Sequence, residues 1–133
     1  MNTQKMSNEP LTRTIKLDPR DIELLFSFPQ PPANLSDIIR CFKFINRTYT
    51  PSYDEFTSCL TKSQRAGIIR AQGQQFVVND DWYARIHAAD NTAANEIESL
   101  LEFEDQYLNL CIEVVTDTFV IPSVSEYESI QST

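Results

Sequence analysis

The chain has only two glycines in 133 residues, Gly67 and Gly73. Glycine enters the left-handed backbone region at no steric cost, so sharp helix stops and tight hairpin turns have few places to fall. Both glycines lie in one stretch, SYDEFTSCLTKSQRAGIIRAQGQQFVVND. Its start, Ser52-Tyr53-Asp54-Glu55, carries the pattern of a capping box, in which the serine hydroxyl and the glutamate each accept from an orphan amide of a new helix. Phe56, Cys59, Leu60 and Ser63 then fall on one face, which predicts a helix over about 53–66. Gly67 ends it as a left-handed residue. Two β-prone runs, Ile68–Ala71 and Gln75–Val78, flank the Gln72-Gly73-Gln74 turn and predict a β-hairpin over 68–78.

Other elements follow from local signals. Residues 1–14 are polar and aperiodic and read as a disordered start. Asp18-Pro19 is a cap followed by proline at the first helical position, opening a short helix that stops before Pro29. Pro29-Gln30-Pro31-Pro32 makes a stiff connector. A second helix starts at Asn34, with Ile38, Cys41, Phe42 and Ile45 on one face and Arg40, Lys43 and Arg47 on the other. Asn79 caps a helix carrying Trp82 and Ile86. A long helix is expected over about 92–114, with a strand at 111–120 as its competitor, because Val114, Val115, Phe119 and Val120 are β-formers. Residues 122–133 read as a frayed acidic tail.

Composition narrows the function. One histidine leaves little room for imidazole chemistry, and two glycines argue against a phosphate-cradling loop. Cys41, Cys59 and Cys111 are too few and too scattered for a disulfide framework and suit a reducing cytoplasm. Cys41 and Cys59 fall on apolar faces, where a thiol is inert. Asp80, Asp81 and His87 offer too few ligands for a zinc site, and Asp81 pairs more naturally with Arg85 one turn on. Trp82, Tyr83 and Phe76 read as core around the hairpin-to-helix junction. No cofactor, metal or catalytic residue is expected, and no apolar run is long enough to span a membrane.

The net charge of −8 is unevenly placed. Residues 1–33 are neutral, 34–79 carry +3, and 80–133 carry −11. An acidic whole repels nucleic acid at long range, while a basic middle segment can still meet phosphate locally.

Three short helices followed by a hairpin, with Leu60 as apolar anchor and Gly67-Ile68-Ile69 as helix stop, resemble the winged helix-turn-helix family. The resemblance covers residues 20–80 and is tightest over 52–78. Ser63 stands where the family usually has a second leucine, and the connector around 47–52 is longer than usual. The fold so implied is mainly α with a small β-hairpin wing (α+β), a winged helix-turn-helix followed by a long C-terminal helix. Residues 15–90 would form the winged-helix domain, and 91–121 a C-terminal helix and extended segment suited to dimerisation.

In DNA-binding members of that family the third helix enters the major groove and the wing touches backbone. Carried onto this chain, Ser58, Thr61, Lys62 and Arg65 face base edges, while Arg40, Lys43, Arg47 and Arg70 meet phosphate. Asp54 and Glu55, at the helix N-terminus, oppose this. The leading expectation is a non-enzymatic, cytoplasmic, homodimeric regulator binding double-stranded DNA. Its rival is an acidic winged-helix module that binds a protein partner and no DNA; a small enzyme or inhibitor is third. Ser63, if it faces the core, is expected to bond a carbonyl one turn back.

Overall fold

The computed structural model describes residues 13–45, 50–92 and 95–131. Along the chain run β1 (Thr14–Lys16), α1 (Pro19–Phe26), β2 (Ala33–Asn34), α2 (Leu35–Ile45), α3 (Tyr53–Arg65), β3 (Ile69–Gln72), β4 (Gln75–Val78), α4 (Asp80–Thr92), α5 (Glu96–Tyr107), β5 (Cys111–Glu113) and α6 (Val124–Gln131). The architecture is mixed α+β, with two small antiparallel sheets. No described helix is long and apolar enough to cross a membrane.

Capping fixes where the helices begin. Asp18 accepts from the Asp21 amide, Asp21 reaches back to the Asp18 amide, and Pro19 sits inside the first turn of α1. Ser52 and Glu55 make the same reciprocal pair on α3. Asn34 Oδ1 accepts from the Asp37 amide, and Asn79 Oδ1 accepts from the amides of Asp81 and Trp82. Each cap satisfies amides that the helix itself leaves without a partner.

The hairpin has the expected span. Ile69 faces Val78 and Ala71 faces Phe76, so Ile69 and Phe76 point into the core while Arg70 and Val77 lie on the outer face. A third strand was not foreseen. Ala33 and Asn34, at the end of the proline-rich connector, pair with Phe76 and Gln75, giving the sheet order β2-β4-β3. Ile38, Phe42, Phe56, Leu60 and Ile69 share one buried core, with Ile45 packed against its edge. Phe76 and Trp82 join it, as expected, and Tyr83 stacks edge-on against His87.

Three expectations are corrected. The start of the chain is ordered from Arg13: β1 pairs with β5, Ile15 opposite Ile112, and buries Ile15 and Leu17. Residues 1–12 lie outside the described part. In place of a single helix over 92–114, α4 ends at Thr92 and the helix α5 and the strand β5 follow. Asn95 caps α5 by accepting from the Glu98 amide, and Leu108 turns extended. Asn109 then adopts a left-handed φ of 66°, which delivers Cys111–Glu113 to β1. Much of the apolar surface of the segment expected to suit dimerisation is absorbed here. Phe103 is buried, and Leu100, Tyr107, Leu108 and Leu110 pack on the core, leaving Ile97 and Leu101 exposed. The acidic tail is the helix α6. Tyr127 is buried, stacks on Phe56 at 5.1 Å and donates its hydroxyl to the Pro51 carbonyl. Ile130 packs on the core and Gln131 donates to the same carbonyl, so a largely polar segment docks through one aromatic anchor and its neighbours.

Between β5 and α6, residues 114–122 form an extended strap. At the end of α3, Gly67 takes φ +76°. The Ile68 amide closes onto the Ser63 carbonyl, and the Val115 amide of the strap donates to the Arg65 carbonyl at 2.8 Å. A Cβ on Gly67 would stand 2.9 Å from Val115 Cγ2. Ser63 is fully buried, but its hydroxyl has no hydrogen-bond partner, contrary to the expected bond one turn back.

Two stability predictions follow from this joint. Gly67→Ala is expected to lose about 1–2 kcal/mol from the left-handed backbone alone, and further stability from displacing Val115. Gly73→Ala, with nothing within 4 Å of the added carbon, loses only the backbone part. Adding Val115→Ala to Gly67→Ala should recover part of the difference in urea unfolding. Ser63→Ala removes a hydroxyl whose unpaired burial costs about 1–3 kcal/mol, so its melting midpoint should be equal to or above that of the unaltered chain.

Candidate interaction surface on the third helix and the hairpin

The helical repeat of α3 sorts its outward side chains into one narrow strip. Asp54, Ser58, Thr61 and Arg65 lie together on it, Lys62 turns toward α1, and Tyr53 and Gln64 turn the opposite way. Ser58 is exposed and Thr61 half-buried. Each border of the strip is occupied by another part of the chain.

On the first border, Lys62 is only partly exposed and turns its ammonium to α1. Its ammonium lies 2.5 Å from Asp21 Oδ2 and 3.2 Å from Asp18 Oδ2, and the Asp21 side chain is 1% exposed. Burial works against the charge on Lys62, but its hydrogen bonds to Asp21 and Asp18 hold its pKa above the ordinary lysine value. Burial pushes the Asp21 carboxyl up, against the opposing pull of the Asp18 amide and Lys62. Burial also works against the Asp18 charge, but the Asp21 amide and Lys62 bring that carboxyl below its usual range. Cys59 lies beside them, its ligand atom within 4.8 Å of both carboxylates. Burial and then the Asp21 charge push its thiol far up, so it stays neutral. Two carboxylates and a cysteine would suit a cation, and Lys62 supplies it. The lysine expected at a base edge is the counter-ion of the helix α1 cap.

On the other border lies the strap. Arg65 Nη2 donates to Asp117 Oδ1 at 3.2 Å, and Arg13 grips the same carboxylate with both Nη atoms. The hydrogen bonds from Arg13, chiefly, hold the Asp117 carboxyl below its usual range. Gln64 Nε2 donates to the Val120 carbonyl at 2.8 Å while its Oε1 accepts from the Val120 amide at 2.9 Å. Tyr53 donates its hydroxyl to the Pro122 carbonyl at 2.7 Å. The strap therefore runs along α3 from its C-terminal to its N-terminal end, held by polar contacts to its backbone and to the Asp117 carboxylate.

The basic residues of α2 do not converge on this strip. Lys43 donates to the Gln131 carbonyl at the end of α6. Arg40 sits 3.9 Å from Asp37 and lines a shallow hollow with Phe26, Cys41 and Phe44. Arg47 lies outside the described residues. Arg70 is exposed on the outer face of the hairpin and makes no ion pair among the described residues. Asp81 pairs with Arg85 at 2.9 Å.

The strap's own side chains form a feature that the charge pattern did not reveal. Val115, Phe119, Val120 and Ile121, with Val124 at the start of α6, are between 39 and 65% exposed. Between strap and hairpin lies a groove of about 590 Å³, floored by Gln64 and Gly67 and walled by Arg70, Val77 and Asp80 on one side and Val115, Phe119 and Val120 on the other. The signal in the sequence was the run of β-formers at 114–120. Only 111–113 of the expected strand forms a ladder, so the remaining β-formers stand on a backbone that bonds Arg13, Arg65 and Gln64 rather than a partner strand.

Lys62→Met should leave the buried Asp21 charge without its counter-ion. The folded pKa of Asp21 then rises further above its unfolded value. A group so shifted contributes most below the unfolded pKa and loses that contribution as pH rises through the folded one. The variant is therefore expected to lose about 2–4 kcal/mol at neutral pH, a little under the usual cost of breaking a buried pair because Lys62 is partly exposed. The deficit should shrink toward pH 4 as Asp21 protonates; urea unfolding at the two pH values measures it. Compared with protein-family models, with curated proteins and with solved structures, the chain matches none.

Proposed function

We propose that this chain is a winged-helix-type interaction module that acts by binding another protein surface rather than by catalysis or by reading DNA. Three helices followed by the β3–β4 hairpin support the winged-helix reading of the fold. The observation that carries the function is how the chain deploys its charged and apolar side chains. The cations that a groove-docking third helix needs are engaged within the molecule: Lys62 by Asp21 and Asp18, Arg65 by Asp117. Asp54 and Glu55 stand at the helix N-terminus, and the whole chain carries −8. An unengaged apolar ridge, by contrast, is fixed in place on the strap. Contiguous exposed apolar surface marks sites of protein association. A ridge ordered before binding also loses less conformational entropy on docking than a flexible one.

A photo-crosslinking residue at position 119, introduced in the native host, should give discrete protein adducts that Val120→Lys abolishes. Titration of the purified chain with random duplex DNA at low salt should show no binding in the micromolar range. Salt-dependent DNA binding with a log–log slope of about −3, together with no adduct at 119, would overturn this reading and restore the regulator.

A further inference from the structure

We propose that the groove between hairpin and strap is where two copies of this chain pair about a two-fold axis. This inference rests on the interaction reading above and names its partner. A second copy is favoured by the charges of the groove itself. Residues 80–133 carry −11 as a whole, and self-association through most of that acidic surface would be opposed by like charge. The groove differs. It holds one cation and one carboxylate, Arg70 and Asp80, and neither forms an ion pair among the described residues. Two-fold pairing is isologous: whatever one copy offers, the other receives. A groove with an unpaired charge of each sign meets that condition, because Arg70 of each copy can face Asp80 of the other. Across the groove from these charges stand Val115, Phe119 and Val120, which supply the apolar centre that a stable interface needs. The outer edge of β3 also lies here without a neighbouring strand, since the sheet ends at β3.

Sedimentation of the full-length chain over a concentration series is the test. The unaltered chain should dimerise, and Val120→Glu should weaken the dimer by about tenfold or more, as expected for a charge placed at the centre of an interface. Val120 is half exposed and binds Gln64 through its backbone, so the variant should keep its circular dichroism spectrum. Phe119→Lys serves as a second variant should Val120→Glu fail to fold. Arg70→Asp and Asp80→Arg should each weaken the dimer, and the two together should restore it. A monomer at every concentration overturns the proposal, as does a dimer insensitive to both apolar variants. Single charge swaps without effect, or a double swap without rescue, overturn the Arg70–Asp80 pairing. A monomer that still crosslinks a different protein from position 119 overturns the second copy alone and leaves the interaction reading standing.

Discussion

The left-handed turn at Gly67 is the joint on which the rest depends. It stops α3, brings Ile68 back onto the Ser63 carbonyl and starts β3 one residue later. Because no side chain stands there, the strap can come close enough for Val115 to bond the Arg65 carbonyl. Helix stop, hairpin start and strap anchorage are thus three results of one missing Cβ. The strap in turn aligns Asp117 with Arg65 and Arg13, and carries Phe119 and Val120 to the groove. A chain with so few glycines has no second position at which to assemble this junction.

Polar chemistry in this molecule works mainly inward. Asp18 and Asp21 cap α1, and the same carboxylates hold Lys62 of α3, so a helix start and a helix-to-helix contact share one set of charges. Gln64 uses both ends of its amide on the strap backbone, and Lys43 completes a carbonyl at the end of α6. Apolar side chains of the strap stay outside. The usual division, with apolar groups fixing the element and polar groups facing water, is inverted over 115–121. Polar contacts to its backbone and to the Asp117 carboxylate fix the segment without using its apolar side chains, which leaves those side chains to touch something else.

Local chemistry was legible in the sequence, and distant pairing was not. The capping pairs at Ser52 and Glu55, and at Asp18 with Pro19, involve neighbours and were readable, as was the hairpin around Gly73. Asn95 with Glu98 is the same kind of signal, overlooked because the apolar stripe ran through it. Strand β2 could not be read, because two residues become a strand only when Phe76 and Gln75 lie opposite them. Lys62 falls on the outward side of an isolated helix; what turns it inward is Asp21, forty-one positions earlier. The tail looked disordered by composition, and Tyr127, with Ile130 and Gln131 beside it, docks it. The candidate surface was only partly legible: the α3 strip and Arg70 stand where expected, but the strap that borders them is a tertiary fact.

The pairing of β1 with β5 bears on how the chain reaches its fold. Thr14 lies opposite Glu113, so the first described strand waits for nearly the whole chain before it has a partner. Contacts this distant in sequence close late and slow folding, because the ordering of the intervening chain precedes their reward. During synthesis α1, α2, α3 and the hairpin can assemble as they emerge, while β1 remains without its partner strand until residues 111–113 arrive. Closure of this sheet is therefore tied to synthesis of β5, and a ribosome stalled before β5 holds a chain whose β1 is still open to whatever else can pair with it.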